Sequence, residues 1–209
     1  MKLIGMLDSP YVRRVAISLQ LLGLRFEHQP LSVFRGFAEF EKINPVVKAP
    51  TLVCDDGEVL MDSTLIVQYA EALARPRSLF PSDPVALQHD LRIIGLALAA
   101  TEKSVQLVYE HELRPPEKLH QPWVSRITGQ LLSAYGELER ELAADGHPVD
   151  RSTIRQAGVA TAVAWHFTRQ MLPQAVPAHR FPALAEFSAA AESLPEFRAA
   201  AHGDGRCQQ

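Results

Sequence analysis

The chain has 209 residues, 47% of them hydrophobic and 22% charged, with a formal net charge of -3. That length can bury a substantial core in one domain or two, and the slightly acidic balance gives no reason to expect a nucleic-acid partner. The longest continuous apolar run, 93–100, falls well short of the roughly 20 residues a membrane helix needs, so no membrane partner is expected. The start of the chain meets Asp8 too soon for a signal peptide. Two cysteines, Cys54 and Cys207, are too few and too far apart for a disulfide framework or a metal site, which sets a reducing, cytoplasmic location as the expectation.

Residues 2–7 read as a strand. Pro10 then opens a helix with Val12, Val15, Ala16, Leu19 and Leu22 at helical spacing, and Gly23 closes it as a C-cap. Alternation over 26–31 predicts a second strand, and a loop with Phe34, Arg35 and Gly36 leads to a short helix over 37–43. Runs at 51–54 and 59–61 flank Asp55-Asp56-Gly57, a hairpin signal. Ser63 is read as the cap of a helix that buries Leu65, Ile66, Tyr69, Ala70 and Leu73. A parallel strand pair with an appended hairpin fits a thioredoxin-like domain over 1–75.

Residues 76–84 are proline-rich and read as a linker. An all-helical domain over 85–209 follows, with helices near 85–111, 123–144, 153–171, 181–190 and 195–201. Thr153 with Gln156 reads as a capping box, and Val159, Val163, Phe167 and Met171 as an apolar stripe. The glycine-containing tail from Gly203 to Gln209 reads as disordered. The fold class is therefore α/β plus all-α: a thioredoxin-like domain, then a helical bundle.

Three dipeptides carry the chemistry. Ser9-Pro10 is an ordinary helix start, but a hydroxyl beside the orphan N–H groups of a helix N-terminus is also placed to stabilise an anion. If that anion is a thiolate, lowering the thiol by two pH units takes roughly 2.7 kcal/mol, and one hydrogen bond to a charged group supplies about 1.5–3 kcal/mol. Ala49-Pro50 opens a strand. A trans bond is the statistical expectation there, while a cis bond would present the Ala49 backbone to an extended peptide ligand. Asp62-Ser63 is a helix cap that also suits a ligand amino group and carboxylate, and Lys48 could neutralise a second carboxylate.

Residues 9–15 (Ser-Pro-Tyr-Val-Arg-Arg-Val), the segment 44–53, Met61-Asp62-Ser63 with Ile66 and Tyr69, and Phe181-Pro182-Ala183-Leu184 followed by Leu194-Pro195-Glu196-Phe197 resemble the soluble glutathione transferases over nearly the whole chain. The resemblance implies glutathione as co-substrate, a small hydrophobic electrophile selected by the helical domain, a detoxifying role and a homodimer, with no metal. Carried over by position, it makes Ser9 the thiol-activating residue, Pro50 a cis-proline, Ala49 the backbone anchor, and Asp62 and Ser63 the γ-glutamyl binders. Tyr11 is the alternative donor to the sulfur, and Tyr109 joins it as a candidate for the electrophile pocket. The chain departs from the family in having Gln156 where Asp is common and Ser193-Leu194 where a basic step is common. Position 9 is Ser and no C-x-x-C occurs, which argues against disulfide exchange. Cys54 reads as a small core residue, His166 as packing or surface, and Glu137, Glu139 and Glu141 as a solvated face. The rival reading is a non-catalytic module that keeps the fold for protein interaction or stress response.

Overall fold

The computed structural model describes residues 1–145 and 149–208. Four short strands, β1 (Lys2–Ile4), β2 (Glu27–Gln29), β3 (Thr51–Val53) and β4 (Val59–Met61), form one sheet in the order β2-β1-β3-β4. β1 pairs parallel with β2, Leu3 opposite His28, and antiparallel with β3, Leu3 opposite Leu52; β3 and β4 close the expected hairpin. Helices α1 (Pro10–Leu21), α2 (Phe37–Ile43) and α3 (Ser63–Ala74) complete this thioredoxin-like layer.

β1 and β2 are shorter than the runs expected from the sequence. Gly5, at φ +140°, takes the chain out of β1, and Pro30 lacks the N–H that would extend β2. Gly5 also permits a close approach, because a Cβ there would lie 2.5 Å from Val12 Cγ2 and 3.1 Å from Ala49 Cβ. The C-terminus of α1 is a Schellman turn: Gly23, at φ +73°, donates to Gln20, and Leu24 donates to Leu19, both at 2.9 Å. The predicted α1 stripe of Val12, Val15, Ala16, Leu19 and Leu22 is buried, as is Cys54.

On α3 the buried stripe is narrower than its sequence suggests. Ile66, Val67 and Ala70 face inward, while Leu65 and Leu73 are 58% and 48% exposed and Tyr69 is half-buried. The cap also differs from expectation. Asp62 occupies the N-cap and accepts from the Thr64 N–H at 2.9 Å, so Ser63 is the first helical residue.

The chain divides into two compact units, Met1–Leu79 with the segment from Ser193 on, and Phe80–Glu192. The expected 85–209 domain therefore loses its last helix, α8 (Pro195–Ala199), to the first unit. Fully buried Arg13 holds it there: Nε donates to the Ala200 carbonyl at 2.8 Å, Nη2 donates to Phe197 at 3.3 Å, and the guanidinium lies 5.7 Å from the Phe197 ring centre. The tail read as disordered is also bonded. The Cys207 N–H donates to His28 Nδ1 at 2.9 Å, Gln20 Nε2 donates to Cys207 Sγ, and Asp204 pairs with Arg35. Gln209 lies outside the described residues.

In the second unit, α4 (Pro84–Glu112) starts on Asp83, which accepts from the Ala86 N–H at 2.8 Å. With α5 (Gln121–Asp145), α6 (Gln156–Met171) and α7 (Pro182–Glu192) it encloses a core around Tyr135, Trp165 and Phe181, whose ring centres lie 5.2 to 6.0 Å apart. The Tyr135 hydroxyl donates to the Ala164 carbonyl at 2.9 Å and lies 2.6 Å from Thr168 Oγ1. α6 begins at Gln156, three residues later than expected, after a turn in which Asp150 accepts from the N–H groups of Ser152 and Thr153. Of its apolar stripe, Val159, Val163 and Phe167 are buried and Met171 is 42% exposed. The acidic face of α5 does more than meet solvent. Glu139 accepts from the Ala183 and Leu184 N–H groups at the start of α7, and Glu137 and Glu141 pair with Arg92. His166 is half-buried and lies 3.3 Å from Glu192.

Candidate functional site

Ser9 is the N-cap of α1 in extended conformation, and Pro10 is its first helical residue. The half-buried Ser9 accepts the Val12 N–H on Oγ at 3.4 Å. That bond uses an acceptor lone pair and leaves the hydroxyl hydrogen to donate elsewhere. The helix end adds orphan N–H groups and the positive end of the dipole. Tyr11 follows in the same turn and is half-buried.

The loop before β3 is folded on itself. Buried Asn44 donates from Nδ2 to Thr51 Oγ1 at 2.8 Å and accepts the Val46 N–H at 3.0 Å; the Thr51 hydroxyl in turn donates to the Lys48 carbonyl at 2.7 Å. The Ala49–Pro50 bond is cis, with Ala49 half-buried and Pro50 buried. The shared approach of Val12 and Ala49 to Gly5 brings the first turn of α1 beside this loop.

Asp62 sits at φ +71° between β4 and α3. Its Oδ1 caps the helix while its Oδ2 lies 3.6 Å from Lys48 Nζ. Both side chains are about half exposed, so this pair contributes little to stability. Ser63 is buried and accepts from Arg14 Nη1 at 3.2 Å; Arg14 also donates to Thr64 Oγ1 at 3.3 Å. Ser9, Lys48, Ala49, Pro50, Asp62 and Ser63 thus belong to one unit, in which Lys48 pairs with Asp62 and Arg14, on the helix that Ser9 caps, bonds to Ser63. Tyr109 lies in the other unit, near the end of α4, and is 45% exposed.

Arg14 is the residue that sequence reasoning missed. Only 2% exposed, it is a cation beneath the N-terminus of α3. Desolvation pulls it down to about 10, opposed by Asp62 and Tyr11, so it stays charged at neutral pH. An Arg-Arg pair one turn into a helix does not announce that both arginines are buried, nor that the second reaches α3. Among the described residues, no group of three or more His, Cys, Asp or Glu is placed to hold a metal ion, and no helix is long and apolar enough to cross a membrane.

A mixed four-stranded sheet with helices, followed by a helical region, matches the fold of the glutathione S-transferases. Residues 3–78 match the family model for the glutathione S-transferase N-terminal domain. Over 176 residues the chain is 28% identical to the uncharacterized GST-like protein YibF of Escherichia coli, covering 83% of this chain and 85% of that one. It is 27% identical over 146 residues to the maleylacetoacetate isomerase of Pseudomonas aeruginosa, covering 66% of this chain and 69% of that one. A crystal structure of a glutathione S-transferase from Methylobacterium radiotolerans, in complex with glutathione sulfonate, superposes with a TM-score of 0.85 at 26% identity, over 94% of this chain and 92% of that one.

Proposed function

We propose that the protein is a glutathione transferase in which Ser9 activates the glutathione thiol for addition to a small hydrophobic electrophile. The observation that carries this reading is Ser9 at the N-terminus of α1, in a segment that matches the glutathione S-transferase N-terminal domain. A structural relative crystallised with glutathione sulfonate supports it. The peptide lies extended, its backbone paired with Ala49 and its γ-glutamyl end at Asp62 and Ser63. Lys48 faces a carboxylate.

The thiol loses its proton to solvent and the Ser9 hydroxyl donates to the sulfur anion, remaining neutral throughout. The sulfur electron pair then forms a carbon–sulfur bond while the electrophile expels its leaving group or shifts its π electrons. Tyr11 and Tyr109 are the candidate walls for the electrophile. The similarity to a maleylacetoacetate isomerase favours a second reading, in which the same thiolate adds to a double bond, allows rotation and departs. The test is a panel of electrophiles and isomerisable dienes assayed with glutathione, for wild type and Ser9→Ala. Turnover that requires glutathione and changes its pH midpoint in Ser9→Ala supports the reading; glutathione binding without turnover of any member points to a non-catalytic interaction module. A homodimer, a cytoplasmic setting and a detoxifying role belong to the same reading, and light scattering tests the first.

A further inference from the structure

We propose that Arg14 is a positioning residue for the glutathione site: its guanidinium holds the start of α3 against α1 and supports a ligand carboxylate at Ser63. The inference rests on the glutathione reading above and names how one end of that site is built. Arg14 lies five residues after Ser9 on α1, a rise of about 7–8 Å along the helix axis. Its Nη1 reaches both the Ser63 and Thr64 hydroxyls, at 3.2 and 3.3 Å, so one nitrogen binds the first two residues of α3 to the helix that carries Ser9.

Two features point to a ligand as well as to packing. The Ser63 oxygen already accepts from a cation, so its hydroxyl hydrogen is left to donate to an anion. The guanidinium is buried, and its Nε has no hydrogen-bond partner among the described residues. Asp62 is the carboxylate whose charge it feels, and Asp62 is shared with Lys48 and with the Thr64 N–H. A buried cation with an incomplete complement of partners, directly behind a helix N-terminus, favours a second negative charge at that end. The ligand class is an α-amino acid terminus, its carboxylate toward Ser63 and its ammonium toward Asp62.

The test compares two peptides by calorimetry on the intact chain: glutathione, and γ-aminobutyryl-cysteinylglycine, which lacks the γ-glutamyl α-carboxylate. Arg14→Met should weaken glutathione roughly tenfold or more, the scale of a hydrogen bond to a charged group, while the shorter analogue keeps its affinity within about twofold. Arg14→Lys should recover part of the loss, and the KM for glutathione should rise with kcat changing little. Equal weakening of both peptides by Arg14→Met overturns the proposal, because a role in packing alone makes no distinction between them. Should Arg14→Met fail to fold, Thr64→Val, at an exposed position, removes one of the two Arg14 contacts. It should still weaken glutathione and not the analogue, and an unchanged glutathione affinity there overturns the proposal. Absence of glutathione binding by the wild-type chain overturns the underlying reading and this proposal with it; wild-type binding with no selective loss overturns this proposal alone.

Discussion

Replacing Ser9 with alanine removes one oxygen and leaves Pro10 to start the helix. Loss of the cap costs about 1 kcal/mol, so the variant should fold. An ordinary thiol titrates near 8.5. The Ser9 hydroxyl, free to donate because its cap bond uses a lone pair, is worth about 1.5–3 kcal/mol toward a thiolate, or about 1–2 pH units. For a two-unit shift, the thiolate share at neutral pH falls from about three quarters to about 3% on removing Ser9. The more basic thiolate is intrinsically faster by about six- to tenfold. The neutral-pH rate therefore falls only a few-fold, and the loss reverses at alkaline pH. The decisive readout is the midpoint itself, from the ultraviolet absorbance of enzyme-bound thiolate against pH and from the pH profile of kcat. Ser9→Ala should raise both midpoints by about 1–2 units. Unchanged midpoints in Ser9→Ala, with a rise in Tyr11→Phe, would refute the reasoning and assign the donor to Tyr11.

Arg13→Ala should destabilise the first unit by about 3 kcal/mol, because it strands the buried Ala200 and Phe197 carbonyls and removes the contact with the Phe197 ring; a loss under about 1 kcal/mol by urea denaturation would show that α8 is held by other contacts. Tyr135→Phe should cost about 1–2 kcal/mol by leaving the Ala164 carbonyl and Thr168 hydroxyl in the core without their phenol partner, and a calorimetric scan would read this as a lower Tm. The C-terminal tail should loosen in acid. His28 accepts the Cys207 N–H and binds the Gly5 carbonyl through its other nitrogen, so the neutral ring suits the fold. Burial lowers His28, the Gly5 carbonyl opposes this, and Arg206 adds to the lowering. With the folded value below the unfolded one, the unfolded chain binds more protons between the two. Stability is then present above about pH 6.5 and is lost as pH falls through the folded value. Hydrogen exchange at the Cys207 amide should speed up over that window beyond its intrinsic pH trend; protection unchanged down to about pH 5 would contradict the assignment.

The elements most legible in the sequence are those set by local chemistry. Ser9-Pro10 started a helix, Gly23 ended it, and Asp55-Asp56-Gly57 turned the hairpin, since each depends on neighbouring residues alone. What was not legible depended on distant partners. Buried Arg13 bonds to carbonyls more than 180 residues away, and the Cys207 N–H bonds to a ring on β2. Glu139 looked like a solvated acid because the helix end it caps lies 44 residues further on. Leu65 and Leu73 fit the helical period of α3 but fall outside the stripe that packs within this chain. At the candidate site the three dipeptides were readable, but Arg14 was not, because a pattern of apolar positions does not tell which of two adjacent arginines lies beneath a neighbouring helix end.

The proposed glutathione site is built by Ser9, Ala49 and Asp62-Ser63. Isothermal titration of the wild-type chain with glutathione tests it most directly. Saturable binding of one glutathione per chain, weakened when Asp62 is replaced by alanine, is the expected result. No heat of binding up to millimolar glutathione, from a chain shown to be folded by its circular dichroism, would contradict it.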